Sequence, residues 1–289
     1  MIHVQAALTG ALAGGLYALM AAGLSVTWGV LRIINLAHFG LILTGAYLTF
    51  ELASSWSVNP LVTLVVTVPG LFLAGAGLQW AFDRLNVTEF NSLLLSFGLL
   101  IIMIQVISIV WSADFQRMTE TVNPYATQSL AVGGLVVPSA TLLAFSFAVV
   151  LIAAAHVGLQ RTFLGRAMRA FAQDRTVAAA FGIDHRRVGM LVAGASGATA
   201  AVAGTLFALE TALTPATAFE WFGIVFAVVI LGGIGHVLGT LVAGVLVGVT
   251  SAVVAVLLSP SAAPLVLFSL IVVALLVRPT GLFSRGGTR

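Results

Sequence analysis

The sequence predicts an all-α polytopic membrane protein, with about eight to nine transmembrane helices and a broken or re-entrant glycine-rich element near residues 231–239. Two observations predict this fold class. Of the 289 residues, 60% are hydrophobic and only 7% are charged, whereas about a quarter of the residues in a soluble domain are charged. The 30 glycines also suit a membrane bundle, because Gly is frequent in membrane helices and lets their backbones approach closely.

Long apolar runs define the predicted spans. Because a membrane helix needs about 20 apolar residues, the runs are interpreted as crossings at 5–28, 33–52, 60–82, 91–112, 138–158, 188–210, 221–234, 238–258 and 262–277. Glycines separate the runs at 221–234 and 238–258, which are either two short crossings or one broken, re-entrant element. The other connections are short, so residues 1–289 are predicted to form a single transmembrane domain.

The arginines predict the orientation. All 12 residues counted as Lys or Arg are arginines, and 11 of them share one side if the polar segment 159–187 is cytoplasmic. Cytoplasmic loops carry an excess of Arg and Lys. The N-terminus is therefore expected outside and the C-terminus, with Arg278, Arg285 and Arg289, inside. Arg117 is the exception, and a single crossing over 221–258 would reverse the C-terminal assignment.

The composition also excludes several functions. With 0 cysteines the chain has no disulfide, cysteine-ligated zinc or thiol catalysis. It lacks the GxxxxGK[ST] phosphate loop, so it cannot hydrolyse ATP by that route. Nearly all carboxylates fall in predicted loops or at span ends, which weighs against an intramembrane enzyme and against ion coupling. The net charge of +3 is explained by membrane orientation, and no nucleic-acid partner or metal site is expected.

The most unusual polar stretch begins the second predicted span. Arg32, Asn35 and His38 recur every three residues, so on a helix they would share one face. They are interpreted either as a pathway or subunit-interface face, or as an anchoring Arg followed by side chains that tie helices together. Thr44, within the same span, has the same two interpretations.

A second candidate lies in the glycine-rich turn around Gly233 and His236. Interrupted helices lie close to the pathway in many transporters, so these residues are predicted to line a pathway or a subunit interface. The alternative for His236 is a cap or turn residue.

Segment 159–187 combines arginines with an apolar stripe, and Gly182 is predicted to end a short helix within it. Such a segment suits either docking of a partner protein or contact with lipid headgroups.

Three stretches resemble a known family. They are GLSVTWGVLRIINLAH (23–38) followed by GAY (45–47), TFLGRAMRAFAQDR (162–175) followed by GID (182–184), and LGGIGHVLG (231–239). In this order the sequence resembles the permease family of bacterial ABC importers for branched-chain amino acids, in the subfamily of the shorter of the two permeases. It departs from the usual pattern at Phe39, which precedes Gly40, and at His236, where a small polar residue is more common.

The resemblance implies a permease subunit of an importer in the bacterial inner membrane, for branched-chain amino acids or relatives such as urea and short amides. It implies a second permease subunit, two ATPase subunits that bind ATP and Mg, a periplasmic solute-binding protein and membrane lipid as partners, with no cofactor bound by this chain. Within the cytoplasmic coupling loop 159–187 it implies an ATPase-coupling role for Asp174, Arg175, Ala179 and Gly182. The alternative function is a self-contained secondary transporter or channel for a small polar solute.

Overall fold

The structure, a computed structural model, describes residues 2–132 and 134–277 as a bundle of α-helices. The helices are α1 (Ile2–Leu31), α2 (Ala37–Trp56), α3 (Leu64–Arg84), α4 (Glu89–Trp111), α5 (Ser139–Arg161), α6 (Phe163–Gln173), α7 (Arg175–Ala180), α8 (His185–Glu210), α9 (Thr217–Gly232), α10 (Val237–Leu257) and α11 (Ala262–Val277). A 3₁₀ helix, Pro60–Thr63, leads into α3, and strands β1 (Ser129–Val132) and β2 (Leu135–Pro138) form an antiparallel hairpin.

Helix length and apolarity indicate a membrane protein. Six helical segments in the described ranges are long and apolar enough to cross a membrane, namely α1, the segment Pro60–Arg84, α4, α5, α8 and α10, and α9 and α11 are shorter apolar helices. Of the most apolar window of each helix, 72% is buried in α8 but only 17% in α4 and in α5. Helices α1 and α8 therefore form the centre, and α4 and α5 present apolar side chains to the surroundings, as lipid-facing helices do.

The second predicted span begins four residues too early. Helix α1 ends at Leu31, Arg32 takes a left-handed conformation with φ of 55°, and α2 begins only at Ala37. Because the chain leaves the helix at Arg32, the predicted polar face of Arg32, Asn35 and His38 is wrong. Arg32 is exposed in the linker, whereas Asn35 and His38 are buried.

Glycines bring α1 and α10 into close contact. Gly10 and Gly14 face Gly248 and Gly244, and a Cβ atom on Gly14 would lie 2.7 Å from the Cα of Val245. No larger side chain fits there without separating the helices, as in other small-residue membrane interfaces. Two Gly-x3-Gly pairs, one on each helix, thus form this contact.

The bundle has two distinct ends. Eight of the nine arginines within the described ranges lie at one end, termed the arginine end: Arg32, Arg84, Arg161, Arg166, Arg169, Arg175, Arg186 and Arg187. The opposite end, termed the hairpin end, carries β1, β2, Arg117 and the start of α1, where the amide of Gln5 bonds Val136. Arg278, Arg285 and Arg289 lie outside the described residues.

The glycine-rich element is a four-residue turn between α9 and α10. Helix α9 ends at Gly232 and α10 begins at Val237, with Gly233 and Gly235 at φ of 84° and 79°. Residues other than Gly rarely adopt such angles. The turn lies at the arginine end, because Gly235 packs directly on Gly29 near the end of α1.

Candidate functional site

The first part of the candidate site is a junction of three helices around His38. The ring lies 2.9 Å, through Nε2, from the carbonyl oxygen of Met20 on α1 and 3.0 Å, through Nδ1, from the hydroxyl of Ser196 on α8. A carbonyl can only accept a hydrogen bond, so Nε2 carries the hydrogen and the Ser196 hydroxyl donates to Nδ1. Gly23 makes room for the ring, since a Cβ there would lie 2.6 Å from His38 Cε1.

Asn35 stabilises the linker that precedes this junction. Its Oδ1 accepts a hydrogen bond from the amide of Ala37, 3.1 Å away, in the first turn of α2. The hydroxyl of Ser96 on α4 accepts from the amide of Leu36 at 3.0 Å and lies 3.3 Å from the carbonyl oxygen of Ile34. The non-helical backbone between α1 and α2 thus has hydrogen-bond partners, as such backbone requires within a bundle.

Thr44 lies on α2, and its hydroxyl donates to the carbonyl oxygen of Gly40 at 2.7 Å, within its own helix.

A second polar group, which the sequence did not predict, links three helices nearer the hairpin end. The hydroxyls of Thr49 and Thr205 are 2.7 Å apart, and Thr63 lies 3.2 Å from Thr49. No sequence spacing could have revealed the pair, because Thr49 and Thr205 lie on separate helices 156 positions apart.

A cavity of about 200 Å³ lies next to His38, between α1, α5, α6 and α8. Its walls are mostly apolar or small, and the hydroxyl-bearing residues Ser196, Thr199 and Thr162 contribute to the lining. Since Ser196 also binds His38, the cavity and the three-helix junction share a wall. Such a lining suits a small solute with an aliphatic part and a few polar groups.

Gly233 and His236 lie apart from this junction, in the α9–α10 turn. The amide of Gly235 donates to the hydroxyl of Ser25 on α1 at 3.0 Å. The Nδ1 atom of His236 is buried and has no hydrogen-bond partner among the described residues. His236 shares a cavity with the arginine end of α1 and the last turn of α5, and it does not line the cavity beside His38.

The segment 159–187 folds into α6 and α7, and the residue that precedes each of these helices caps its start through a side-chain oxygen. Thr162 accepts from the amide of Gly165 at 3.0 Å, and Asp174 accepts from the amides of Thr176 and Val177 at 2.8 and 3.0 Å. Capping by Asp or Thr at such a position satisfies amides that lack partners in the helix.

Gly182 ends α7 as predicted. Its φ is 81°, its amide donates to the carbonyl oxygen of Ala179 at 2.9 Å, and the amide of Ile183 donates to that of Ala178 at 3.1 Å. This pair of bonds is the Schellman arrangement, in which Gly is preferred because the left-handed conformation penalises a Cβ. The α7 helix is therefore closed at both ends.

One face of α6 and α7 is anchored to the bundle. Phe171 and Ala178 pack with Leu31 and Val188 in a small apolar cluster at the ends of α1 and α8. The guanidinium of Arg175 donates to the carbonyl oxygen of Leu31, the last residue of α1, and lies 5.2 Å from the centre of the Phe171 ring. A cation at the C-terminal end of α1 is also favoured by the helix dipole.

The opposite face of this segment is open. Ala179 is exposed, Phe181 is 84% exposed and Phe163 is 75% exposed. Asp184 then caps α8 through the amide of Arg186, 2.9 Å away. That hydrogen bond, assisted by the amide and charge of Arg187, lowers the pKa of Asp184.

Apolar helices of spanning length, packed by glycines around buried hydrogen bonds, define a polytopic membrane protein. The sequence model of the family described as "Branched-chain amino acid transport system / permease component" matches residues 6–277. The chain belongs to this family.

Curated relatives resemble the chain over nearly its whole length. The high-affinity branched-chain amino acid transport system permease protein LivH of Salmonella typhimurium (strain LT2) is 27% identical over 99% of this chain and 96% of its own. The LivH protein of Escherichia coli (strain K12) has the same values, and BraD of Pseudomonas aeruginosa is 25% identical over 98% and 96%. No solved structure matches the chain.

Proposed function

We propose that this chain is the transmembrane permease subunit of an ATP-binding-cassette importer in the bacterial inner membrane, and that it forms the solute pathway with a second permease subunit. The observation that carries this proposal is the family match over residues 6–277. Two ATPase subunits bind ATP and Mg, and a periplasmic solute-binding protein delivers the solute. The chain itself contributes the pathway and the contacts through which ATP binding acts.

The proposed topology has nine crossings, formed by α1 to α5 and α8 to α11. The arginine end is cytoplasmic, because eight of the nine described arginines lie there and positive residues favour the cytoplasm. The hairpin end, with the start of α1, is then outside, and α11 returns the chain to the cytoplasm. Under this proposal the α9–α10 turn is a cytoplasmic connection and not a re-entrant element.

The coupling segment is well placed to transmit movement of the ATPases. Its exposed face, around Ala179 and Phe181, docks on the ATPase, while Arg175 bonds the end of α1 at Leu31. Helix α1 also accepts the hydrogen bond of His38 at Met20. Displacement of α7 would therefore be transmitted along α1 to the junction beside the cavity. ATP binding drives this change only by favouring one permease state over the other.

The proposed solutes are branched-chain amino acids or related small molecules such as urea and amides. The relatives named above are branched-chain amino acid permeases. The cavity beside His38 is small, mostly apolar and edged by hydroxyls, which suits an aliphatic side chain. Asn35, His38, Thr44, Gly233 and His236 are proposed to lie at the pathway or at the interface with the second permease.

Purification of the tagged chain from its native membrane in mild detergent tests the proposal. An ATPase and a second permease are expected to co-purify. The variant Phe181→Ser, on the exposed coupling face, should reduce recovery of the ATPase. Phe115→Ser is the matched control, because Phe115 is 80% exposed but lies in the loop at the hairpin end. Recovery of the folded chain alone would favour the secondary transporter or channel instead.

A further inference from the structure

A second cavity lies at the arginine end, separate from the one beside His38. It has a volume of about 280 Å³ and lies between the end of α1, the last turns of α5, α6 and the α9–α10 turn. Four polar side chains line it: His156, Gln160, Arg169 and His236. Of these four, only His236 is among the residues proposed to lie at the pathway or subunit interface, and the exposed coupling face around Ala179 and Phe181 uses none of them.

The chemistry of this cavity suits an anion. Its lining residues include a guanidinium and two imidazoles but no Asp or Glu, and all of them lie in the described ranges. The Nη2 atom of Arg169 lies 3.3 Å from the carbonyl oxygen of Gln160, which leaves further N–H donors on the same guanidinium. An oxyanion with several acceptor oxygens is the natural partner for such a planar donor group.

His236 adds a polar ring nitrogen to the lining of this cavity. Its Nδ1 atom is buried without a partner in the described part of the chain, and a buried polar atom left unpaired costs free energy. The residue also directly precedes α10, whose first turn receives no side-chain cap from the residues in ranges 2–132 and 134–277. The first amides of a helix lack acceptors within it and favour a negative charge. They therefore add to the preference for an anion that Arg169 and His236 give this cavity.

We propose that this cavity binds a phosphate group, and that an anionic phospholipid supplies it. The cavity lies at an end of the spanning helices, where headgroups are found. An exposed apolar stripe leads away from it along α10, formed by Leu238, Val242 and Leu246 at four-residue spacing. Residues so spaced lie on one helix face, and an acyl chain can lie along them. A free phosphate ion has no acyl chain that could pack on that stripe.

Lipid binding to the purified full-length chain in neutral detergent tests the proposal. The apparent affinity is measured from the rise in melting temperature as dihexanoyl phosphatidylglycerol is added. Dihexanoyl phosphatidylcholine and inorganic phosphate are added in parallel. Arg169→Gln is expected to weaken the phosphatidylglycerol affinity about tenfold, which corresponds to about 1.4 kcal/mol. Arg161→Gln is the matched control, because Arg161, the last residue of α5, is an exposed arginine at the same end of the bundle that does not line the cavity.

Each outcome decides the proposal. Tighter binding of phosphatidylglycerol than of phosphatidylcholine, lost in Arg169→Gln but kept in Arg161→Gln, supports it. Equal loss of phosphatidylglycerol affinity in both arginine variants would show that the effect comes from general positive charge. That result would overturn the proposed site. Inorganic phosphate binding as well as the lipid, with the same dependence on Arg169, would refute the lipid as its source. If Arg169→Gln does not purify as a single species, Arg169→Lys and His236→Phe replace it, with weakening expected in each.

Discussion

The Nδ1 atom of His38 lies 3.0 Å from the hydroxyl oxygen of Ser196, a residue 158 positions away. Together with the bond to the carbonyl oxygen of Met20, this contact uses both ring nitrogens, and the residue is only 1% exposed. The side chain thus ties α1, α2 and α8 together while its neighbour Ser196 lines the adjacent cavity. A structural tie and a position at the pathway are compatible for this residue.

Breaking this junction is expected to destabilise the protein. His38→Ala should lower the free energy of unfolding by about 3 kcal/mol, because it leaves a cavity and an unpaired hydroxyl. Ser196→Ala should cost about 1 kcal/mol, and the double variant should show a coupling of about 1 kcal/mol. Unfolding in detergent is the measurement. Ser146→Ala is the control, since that hydroxyl donates to the carbonyl oxygen of Leu142 in its own helix. Strictly additive effects would contradict a direct His38–Ser196 interaction.

The α1–α10 contact gives a second prediction, on packing. Gly14→Ala would place a methyl group against the carbonyl of Gly244 and within 2.7 Å of the Cα of Val245. Backbone atoms cannot move aside as a flexible side chain does, so a loss of about 1–3 kcal/mol is expected. Gly98→Ala is the control, because a Cβ on Gly98 meets no atom of the described residues within 4 Å. Equal melting temperatures for the two variants would show that the helices are not in close contact.

Much of the helical pattern could be predicted from hydrophobicity. The first, third and last predicted spans, 5–28, 60–82 and 262–277, agree closely with α1, the segment Pro60–Arg84 and α11. Runs of apolar residues mark a helix in lipid because its backbone must be satisfied internally. The β hairpin was not predicted. Four-residue strands carry too short a pattern to stand out.

The local elements of the candidate site were easier to predict than its contacts. Gly182 as a helix end follows from local backbone chemistry, and the structure has it at φ of 81°. The start of α2 was misplaced because nothing in the apolar sequence around Arg32 marks the left-handed residue that ends α1. Contacts such as Thr49 with Thr205 depend on how helices dock. Residue spacing within one helix contains no information on that docking.

The proposed orientation predicts which single cysteines react from outside. Because the chain has 0 cysteines, one introduced thiol is the sole target. In intact spheroplasts, Glu120→Cys in the loop at the hairpin end should react with a membrane-impermeant maleimide. Thr176→Cys on the exposed part of α7 should react only after lysis. The reverse pattern would invert the topology and remove the cytoplasmic assignment of the coupling segment.

The cap of α8 predicts a dependence on pH. The amide of Arg186 lowers the folded-state pKa of Asp184 below the ordinary value of 3.8. The cap therefore contributes its stability above that value, and the contribution is lost as the pH falls through the lowered pKa. Asp184→Ala should melt at a lower temperature than the wild type at neutral pH, and the difference should shrink on acidification. Glu120→Ala, in an exposed loop, should show no such trend. A constant difference at all pH values would show that the carboxylate charge is not responsible.

Gly182 offers the sharpest test of energy coupling. At its φ of 81° a side chain costs about 1–2 kcal/mol, and a β-branched residue fits such a conformation poorly. Gly182→Val should therefore open the end of α7 and displace Ala179 and Phe181, while the anchors of the segment at Phe171 and Ala178 remain. In proteoliposomes of transporter complexes that retain the ATPase, uptake per ATP hydrolysed should fall severalfold.

The matched control for this experiment is Gly77→Val. Gly77 is exposed on α3, and within the part of the chain that the structure describes a Cβ on it meets no atom within 4 Å. The same substitution therefore adds the same bulk without backbone strain. Its ratio of uptake to ATP hydrolysis should equal that of the wild type. If Gly182→Val also keeps the wild-type ratio, α7 does not transmit the movement of the ATPase. Coupling would then have to pass through another part of the arginine end. If instead only the amount of assembled ATPase falls, Gly182 contributes to docking rather than to transmission.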